Sequence, residues 1–390
     1  MQSTVPERSH KVFYFIPSLV QGGSERQILE LVTRIPKPFS PVFCLHRDAI
    51  HYRSLLPPGQ PKYILDSANA PFSLGSYHRL LAAIRVEKPT IFHSYLNPAN
   101  FWGRLVAHRA GVPIVISSVR ARMMEPQFLL VERLLARRAG AVVVNSVGIE
   151  RELRSRALVP PGRIHVVHNF LDLDHFRPPT SQERHRARQR WGLDPSKRIL
   201  LMPGRVSVQK HQIGLLLALD RLAQHHALPS DVLLLLAGRG RGAAYDRLTA
   251  LLCQLPRLRA HVRLLGNQVD VRSLYWAADL LCLPSLWEGL PNAALEGSAC
   301  GLPALLSHAA NLDRIVQVGK NGWEAPTGDH RALAAILRDE VLPTPVARLR
   351  NLGAHGRARM LERFAPDRVL SEMLSLYGDL LRDAGIAPWG

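Results

Sequence analysis

The sequence predicts an α/β fold made of two parallel-sheet domains, and three observations lead to this prediction. From Lys11 onward, short apolar runs rich in Val, Ile and Phe alternate with amphipathic stretches of helical spacing. The alternation breaks at a basic segment that contains Pro178 and Pro179, and then it restarts. The 390 residues are also too many for one ordinary hydrophobic core and suit two. Strands that alternate with helices form parallel sheets covered on both faces.

Buried strands are predicted in the first half of the chain wherever an apolar run is short and bounded by turn residues. In order, these runs are KVFYFIP, PVFCLH, KYILD, TIFHS, PIVISS and AVVVNS. Amphipathic helices are predicted between them in SERQILELVTRI, SYHRLLAAIRV and NFWGRLVAHRAG, the last of which stops at Gly111.

The second half repeats the pattern, with strands predicted in RILLMPG, DVLLLLAG, HVRLLG, DLLCLPS and PALLS. We therefore predict a first domain over residues 1–177 and a second over 178–365. The amphipathic segment 366–390 is expected to form a helix that packs back toward the first domain. Both domains are then Rossmann-like, doubly wound sheets, whose ligands bind outside the carboxyl ends of the strands. Two such domains in tandem are expected to form a cleft.

The composition favours an anionic partner and a reduced compartment. The formal net charge of +19 attracts nucleic acid, acidic lipid headgroups or phosphorylated ligands. The four cysteines form no CxxC pair, so neither a zinc site nor a disulfide framework is indicated. The start of the chain does not resemble a signal peptide, and no apolar run approaches the roughly 20 residues of a membrane span. We expect a cytoplasmic protein, either soluble or held on one face of a membrane.

Candidate binding residues follow the predicted strands. Gly22 and Gly23 open a helix, where backbone amides can approach a phosphate. The alternative, which the pair by itself favours, is an ordinary glycine-rich turn with Ser24 as the helix cap. The pair is not part of a GxGxxG fingerprint, which disfavours a dinucleotide site. Arg205 and Lys210 flank a loop after RILLMPG, and two cations converging there suit a diphosphate. The alternative for these two is a solvated surface pair.

Two glutamates follow the strand DLLCLPS. Glu288 is predicted in a loop and Glu296 on the helix that starts near Pro291. Two carboxylates can accept hydrogen bonds from the hydroxyls of a polyol at two points, and the amides of Gly289 and Leu290 point toward the same mouth. The alternative is a pair of exposed glutamates that neutralise arginines of this basic chain.

Several motifs together resemble one enzyme family, the retaining GT-B glycosyltransferases of glycosyltransferase family four. They are GGSER, HNFLDLDHF, GRVSVQK, LLGNQVDVRSLYWAADLLCLPSLWEGLPNAALEGSACGLPAL and NGWEAPTGD, and they extend over nearly the whole chain. The block with glutamates at positions 288 and 296 is highly specific, whereas the glycine pair alone is weak. The resemblance implies two domains facing across a cleft, the first for the acceptor and the second for a nucleotide sugar.

The resemblance also implies roles for the charged residues. Glu288 would contact hydroxyls of the donor sugar, and Glu296 would bind the ribose of the nucleotide. Arg205 and Lys210 would bind the diphosphate and stabilise it as it leaves, which agrees with the charge that glycosyl transfer develops there. Because the sequence has no DxD-like acidic cluster at a strand end, no metal is required and no cofactor is expected.

The remaining implied contacts are made by backbone or by small residues. Gly289 and Leu290 would offer amides to the sugar or phosphate, and the base would rest near Gly266 and Asn267. The pair Gly22–Gly23 would let acceptor and phosphate meet. The implied reaction moves a hexosyl or N-acetylhexosaminyl group from a nucleotide-diphosphate sugar to a glycan or lipid-linked acceptor of cell-surface polysaccharide biosynthesis.

The chain departs from the family pattern on the acceptor side. Arg120 stands near the position where many relatives have a histidine, and Tyr95 where a second histidine is common. Ala309 and Ala310 replace a usual pair of glycines, and Asp313 replaces a glutamate. Arg120 is interpreted either as a charge near the acceptor or as a structural surface arginine.

The stretch from Ser117 to Gly140 is the strongest candidate for a membrane-surface contact. A helix from about Pro126 would carry one apolar face and a rim of arginines, which suits an anionic bilayer interface. The apolar residues are Phe128, Leu129, Leu130, Val131, Leu134 and Leu135, and the arginines are Arg133, Arg137 and Arg138. The alternative is that the same helix covers the parallel sheet, with its leucines in the core.

Other functions remain open from the residues alone. A GT-B nucleotide-sugar enzyme of another type, such as an epimerase, would use the same donor residues. A basic nucleic-acid-binding α/β protein fits the charge but lacks stacking aromatics in a basic stripe. An NAD-dependent dehydrogenase fits two Rossmann-like halves but lacks the glycine fingerprint.

Overall fold

The computed structural model describes residues 9–20, 23–51, 53–122, 126–136 and 139–388. The chain divides into two compact units, Met1–Phe170 with Asp367–Gly390 and Leu171–Pro366. This division precedes the boundary predicted at residue 177, because Leu171, Leu173 and Phe176 pack into an apolar core of the second unit.

The first unit is built on a parallel sheet with strand order β3-β2-β1-β4-β5-β6-β7. Its strands are β1 (His10–Ile16), β2 (Phe39–Arg47), β3 (Tyr63–Asp66), β4 (Ile91–Tyr95), β5 (Ile114–Val119), β6 (Ala141–Val144) and β7 (Ile164–Val166). The six strands predicted for this half are confirmed. The sequence analysis missed β7, because it spans three residues with a histidine in the middle.

Helices cover this sheet on both faces. They are α1 (Gly23–Arg34), α2 (Leu74–Glu87), α3 (Ala99–Arg109), α4 (Pro126–Leu135) and α5 (Val147–Ser155). Because alternate residues of a strand point to opposite faces, β1 contributes to two apolar cores. Val12, Tyr14 and Ile16 lie in one, and Phe13 and Phe15 lie in the other.

The second unit is built on a parallel sheet with strand order β10-β9-β8-β11-β12-β13. Its strands are β8 (Arg198–Pro203), β9 (Val232–Ala237), β10 (Val262–Gly266), β11 (Leu280–Leu283), β12 (Ala304–Ser307) and β13 (Gly322–Ala325). The five strands predicted for this half are confirmed. The additional strand β13 begins with a glycine and spans four residues, so it lacks a strong apolar signal.

The helices of the second unit begin immediately after the proline pair. Thr180 and Glu183 form a capping box, in which the Glu183 N–H donates to Thr180 Oγ1 at 3.2 Å and the Thr180 N–H donates to Glu183 Oε2 at 2.8 Å. The helices are α6 (Ser181–Arg190), α7 (Gln212–Gln224), α8 (Ala243–Gln254), α9 (Val271–Ala277), α10 (Asn292–Ala299), α11 (His330–Ile336) and α12 (Val346–Arg363). The basic segment in which the strand–helix alternation breaks therefore contains a helix, α6, directly after Pro178 and Pro179.

The last helix, α13 (Pro366–Asp383), belongs to the first unit. Its apolar face is buried in the same core as Val12 and Tyr14, and its residues there are Val369, Met373, Leu376, Tyr377 and Leu381. The Tyr377 hydroxyl lies 3.2 Å from the Tyr14 hydroxyl. The end of the chain thus completes the first hydrophobic core.

Candidate functional site

The strand order of the second sheet creates a crevice at one point of its carboxyl edge. From β8 the chain proceeds to β9 and β10 on one side, whereas β11, β12 and β13 lie on the other. The loops that follow β8 and β11 therefore leave the sheet in opposite directions. Open α/β sheets bind their ligands at such a switch point.

The two loops that flank this crevice are joined by hydrogen bonds. The Leu286 N–H donates to the Gln209 carbonyl at 2.8 Å. The Gln209 side-chain amide donates to the Trp287 carbonyl at 3.1 Å and to Glu288 Oε2 at 3.4 Å. Sequence analysis missed Gln209, although it directly precedes Lys210 in a loop that was already singled out. These bonds hold the β8 loop and the β11 loop in one arrangement.

Lys210 and Glu288 form an ion pair across the same crevice. Lys210 Nζ lies 2.6 Å from Glu288 Oε1, and the two side chains are 18% and 6% exposed. The structure therefore brings together two of the predicted site residues from loops that lie far apart in the sequence. Each of the two charges is therefore compensated by the other within the second unit.

Arg205 lies on the same loop but is held differently. Its backbone carbonyl accepts a hydrogen bond from the Gln212 side chain at 3.0 Å, whereas its side chain is exposed. Within the described ranges, no carboxylate pairs with this guanidinium. The loop therefore presents one cation that is internally neutralised and one that is not.

Close backbone packing supports the carboxyl edge of this sheet. A Cβ atom on Gly238 would lie 2.0 Å from the Gly204 carbonyl oxygen, so only glycine fits there. Gly204 itself has φ +140° and lies against the Lys210 side chain. The strand ends of β8 and β9 can therefore approach each other, and the aliphatic part of Lys210 packs on Gly204.

Glu296 lies on α10 and is held by a tyrosine of α9. The Tyr275 hydroxyl donates to Glu296 Oε2 at 2.9 Å. Burial raises the pKa of Tyr275 well above its ordinary value, and the negative charge of Glu296 raises it further. The phenol therefore stays protonated, and this hydrogen bond fixes the orientation of the carboxylate.

The predicted backbone contacts occupy several places. Leu290 is buried in the core and anchors the β11 loop, while Gly289 is half-buried just before α10. Gly266 and Asn267 are exposed at the end of β10, with the Gly266 carbonyl bonded to the Gly238 N–H at 2.8 Å. Gly23 is the first residue of α1 in the first unit, and Gly22 lies outside the described residues.

Ala309 and Ala310, which stand where the family usually has two glycines, lie in the segment that follows β12. The Ala309 N–H donates to Thr327 Oγ1 at 2.9 Å, and the Ala310 N–H donates to Ser307 Oγ at 3.2 Å. Asp313 is buried, and its carbonyl accepts a hydrogen bond from Arg363 at 2.8 Å. Both alanine amides are thus bonded within the protein.

A second polar cluster lies at the carboxyl edge of the first sheet. Arg120 follows β5 and is only 8% exposed, so its interpretation as a surface arginine is wrong. Its Nη1 donates to Asn169 Oδ1 at 3.1 Å, and its guanidinium carbon lies 5.3 Å from the centre of the Tyr95 ring. Asn145 donates to the same Asn169 oxygen at 3.1 Å.

A buried histidine connects this cluster to α13. His93 Nδ1 lies 2.7 Å from the Tyr377 hydroxyl, and Nε2 lies 2.8 Å from Ser118 Oγ. Burial lowers the pKa of His93 well below its ordinary value, and the charge of Arg120 lowers it further. The ring is therefore neutral. Sequence analysis did not single out His93, because a histidine inside the apolar run TIFHS has no local signal of its partners.

The helix α4 does not present the single apolar face that the sequence analysis assigned to it. Leu129 and Leu135 are buried, whereas Phe128, Leu130 and Leu134 are 36%, 55% and 62% exposed. The reason is that the helix packs one side onto the sheet and leaves the other outside. Arg133 lies on the exposed side, and Arg137 and Arg138 lie outside the described residues.

Two other kinds of site, a metal centre and a membrane-spanning helix, are absent from the described residues. In the part of the chain that the structure describes, no group of three His, Cys, Asp or Glu side chains could hold a metal ion. None of the described helices is long and apolar enough to cross a membrane.

Known protein families match both halves of the chain. Residues 21–175 match the family described as Glycosyltransferase Family 4, and residues 183–353 match the family described as Glycosyl transferases group 1. The two matches meet near the division between the structural units.

Individual proteins match over most of the length. A D-inositol 3-phosphate glycosyltransferase of Thermobispora bispora is 30% identical, over 81% of this chain and 78% of that one. The UDP-Gal:alpha-D-GlcNAc-diphosphoundecaprenol alpha-1,3-galactosyltransferase of Escherichia coli is 27% identical, over 73% of this chain and 75% of that one. The crystal structure of Anabaena Alr3699/HepE in complex with UDP superposes with a TM-score of 0.81, at 20% identity, over 95% of this chain and 100% of that one.

Proposed function

The chain belongs to the GT-B glycosyltransferases of family four, which transfer sugars from nucleotide-sugar donors, and from this premise we propose that it transfers a hexosyl or N-acetylhexosaminyl group from a UDP-sugar to a lipid-linked glycan. The choice of UDP is supported by the E. coli relative, whose name specifies UDP-Gal, and by the UDP complex of the Anabaena protein. The observation that carries the proposal is the Lys210–Glu288 pair at the switch point of the second sheet.

In the proposed reaction, the donor replaces the internal partners of this pair. Lys210 turns to the diphosphate together with Arg205, and Glu288 accepts hydrogen bonds from hydroxyls of the sugar. As the glycosidic bond to the diphosphate breaks, negative charge grows on the leaving oxygen, and the two cations stabilise it. Glu296, held by Tyr275, accepts from the ribose hydroxyls, and Gly266 and Asn267 lie against the base.

A thermal-shift screen tests the donor assignment. UDP-, GDP-, ADP- and dTDP-sugars are each added to the protein, because a ligand that binds the native state raises Tm by mass action. We expect the largest shift with a UDP-sugar and expect Lys210→Ala to abolish most of it. A larger shift with another nucleotide would overturn the choice of UDP, and no shift with any of them would overturn the donor site.

The acceptor is proposed to be presented at an anionic membrane surface. The E. coli relative acts on a diphosphoundecaprenol-linked sugar, according to its name. In this chain, α4 exposes Phe128, Leu130 and Leu134 beside Arg133, and such a combination suits a headgroup interface. Arg137 and Arg138 follow directly in the sequence. A lipid-linked acceptor at the inner face of the membrane would then lie near the first unit.

Liposome co-sedimentation tests this surface. The protein should pellet with anionic vesicles and not with neutral ones, and Arg133, Arg137 and Arg138 changed together to Glu should release it. A matched control changes the exposed Arg85, Arg109 and Arg151 to Glu, which alters the net charge equally on other parts of the unit. Release by both triple variants would show charge attraction without a defined surface, and no binding by the wild type would favour a soluble acceptor.

A further inference from the structure

Among the described residues, every buried arginine except one forms an ion pair with a carboxylate. Three arginines are buried there, Arg104, Arg120 and Arg188. Arg104 pairs with Glu132 at 2.6 Å, and both side chains are completely buried. Arg188 pairs with Asp279 at 2.7 Å. Since a buried charge is costly unless it is compensated, each of these two has a carboxylate.

Arg120 is the exception. Over the ranges that the structure describes, no carboxylate lies within ion-pair distance of it. Its charge contacts the neutral Asn169 oxygen and the face of the Tyr95 ring, and its Nε atom has no hydrogen-bond partner. The neighbouring His93 is neutral as well, so nothing described around the guanidinium balances its charge.

The position of Arg120 is the part of the first sheet where ligands are expected. The strand order places the switch point between β1 and β4, and β5 is the next strand. Arg120 directly follows β5, Tyr95 ends β4 and Asn145 directly follows β6. The uncompensated charge therefore lies at the carboxyl edge of the sheet and not in the middle of the core.

The surroundings also hold the guanidinium in a fixed orientation. Asn169 Oδ1 accepts one hydrogen bond from Arg120 and a second from Asn145, which fixes the amide. The Tyr95 ring supports the guanidinium plane from one side. The guanidinium is held on one edge by Asn169, and its buried Nε has no hydrogen-bond partner. Its planar set of donors matches the paired oxygens of a phosphate.

We propose that Arg120 binds a phosphate or diphosphate group of the acceptor, and so makes the enzyme specific for an anionic acceptor. The proposal rests on the proposed function, in which the first unit receives the acceptor. The ligand then supplies the counter-charge that none of the described residues supplies, and the cost of burying the Arg120 charge is recovered when the acceptor binds. A neutral sugar acceptor would leave the charge uncompensated.

Pyrophosphate binding in the presence of saturating UDP tests the assignment. UDP occupies the donor site, so that the remaining binding of inorganic pyrophosphate reports a second anion site. Affinities are measured by calorimetry for the wild type, Arg120→Gln, Arg120→Lys and the exposed control Arg151→Gln. We expect Arg120→Gln to lose at least tenfold in pyrophosphate affinity, Arg120→Lys to lose less, and the control to lose nothing.

Each other result overturns the inference in a distinguishable way. Pyrophosphate affinity of Arg120→Gln within twofold of the wild type, or no binding by the wild type, removes the anion site. Loss of UDP affinity in Arg120→Gln assigns the arginine to the donor diphosphate instead. Failure of the wild type to bind UDP would overturn the proposed function. The pyrophosphate affinities of the wild type and of Arg120→Gln would then be compared without UDP, and they would still test the anion site. Unliganded Arg120→Gln should melt no lower than the wild type, because it loses an uncompensated buried charge.

Discussion

Glu288 and Lys210 form an ion pair in the unliganded protein. Their replacement is therefore expected to have opposite effects on the affinity for UDP. Replacing Glu288 by Gln removes the internal competitor for Lys210, so affinity for UDP should stay equal or rise. Turnover should nevertheless fall about 100-fold, because the sugar contacts of Glu288 matter most as charge develops. Calorimetry with UDP and steady-state kinetics measure the two effects. Asp246→Asn, on the exposed surface of the same unit, is the control, and normal turnover in Glu288→Gln would contradict the assigned role.

The two cations of the proposed diphosphate site should both be required, although only Lys210 has an ion-pair partner among the described residues. Arg205→Ala and Lys210→Ala are each expected to weaken donor binding by about 2–4 kcal/mol. Donor affinity measured by calorimetry checks this. Because these cations are proposed to stabilise the leaving diphosphate without a metal, activity should persist in EDTA. Abolition by EDTA with rescue by manganese would contradict that expectation.

At the scale of single residues, the sequence indicated which charged residues form the proposed donor site but not which of them contact each other. Arg205, Lys210, Glu288 and Glu296 were recognisable from residue type and from their place after predicted strands. That Lys210 pairs with Glu288, 78 positions away, depends on two loops meeting at one sheet edge. No local sequence pattern predicts a contact between two loops so far apart in the chain.

Among the secondary-structure elements, α3 and α4 are joined by the buried pair of Arg104 and Glu132. The guanidinium donates two hydrogen bonds to the carboxylate, at 2.9 and 2.6 Å, and its Nε donates to the Asn100 carbonyl at 2.9 Å. Removing one partner leaves a buried charge, so Glu132→Gln should lower the free energy of unfolding by about 3–5 kcal/mol. Urea denaturation measures it. The surface variant Glu372→Gln should change it by less than about 1 kcal/mol, and an equal loss in both variants would contradict a special role for the buried pair.

The end of α2 provides a pH-dependent link to the sheet. Glu87 is buried and is bonded by Lys11 of β1, by Lys62 and by Tyr63 of β3. Burial acts to raise the pKa of Glu87, but the hydrogen bonds from Lys62, Tyr63 and Lys11 outweigh it and lower the pKa to about 2. This contribution to stability should be complete above the unfolded pKa of about 4.3 and lost as the pH falls toward 2.

Denaturation at a series of pH values checks this link. The wild type should lose stability between about pH 4.3 and pH 2 more steeply than Glu87→Gln, which has no proton to bind at this position. Above pH 5 the variant should be the less stable of the two. Parallel pH profiles for the two proteins would show that Glu87 is not responsible.

At the scale of secondary-structure elements, hydrophobic periodicity predicted well which strands and helices form, but it predicted poorly which face of a helix is buried. The strands with long apolar runs were all found, whereas the short strands β7 and β13 were missed. In α4 the sequence showed an amphipathic helix but assigned Leu129, Leu130, Leu134 and Leu135 to one face. Which leucines face inward was decided by the packing of Glu132 on Arg104 and of Leu129 on the sheet.

For the molecule as a whole, the last helix is expected to be necessary for the first unit. Tyr377 of α13 contacts both Tyr14 and His93, and the apolar face of α13 is buried around them. Deleting residues 366–390 would expose that core and should unfold the first unit while the second unit retains UDP binding. Limited proteolysis with mass spectrometry and calorimetry with UDP measure the two outcomes. A point variant, Tyr377→Phe, should lower Tm without loss of the fold, and unchanged protease resistance after the deletion would contradict the expectation.

The sequence by itself determined the fold class, the two-unit organisation and the family, because these depend on local periodicity and on motifs that are contiguous in the chain. It also singled out the loops after β8 and β11 that we propose to bind the donor, since the carboxyl ends of parallel strands all lie at one edge of the sheet. Only the tertiary structure decided that Arg120 is buried with no carboxylate partner among the described residues, that Lys210 pairs with Glu288, and that α4 divides its leucines between core and surface. These features depend on which residues, distant in the sequence, come into contact. The free energy of a buried charge is set by the groups that surround it in space, and those groups are known only from the tertiary structure.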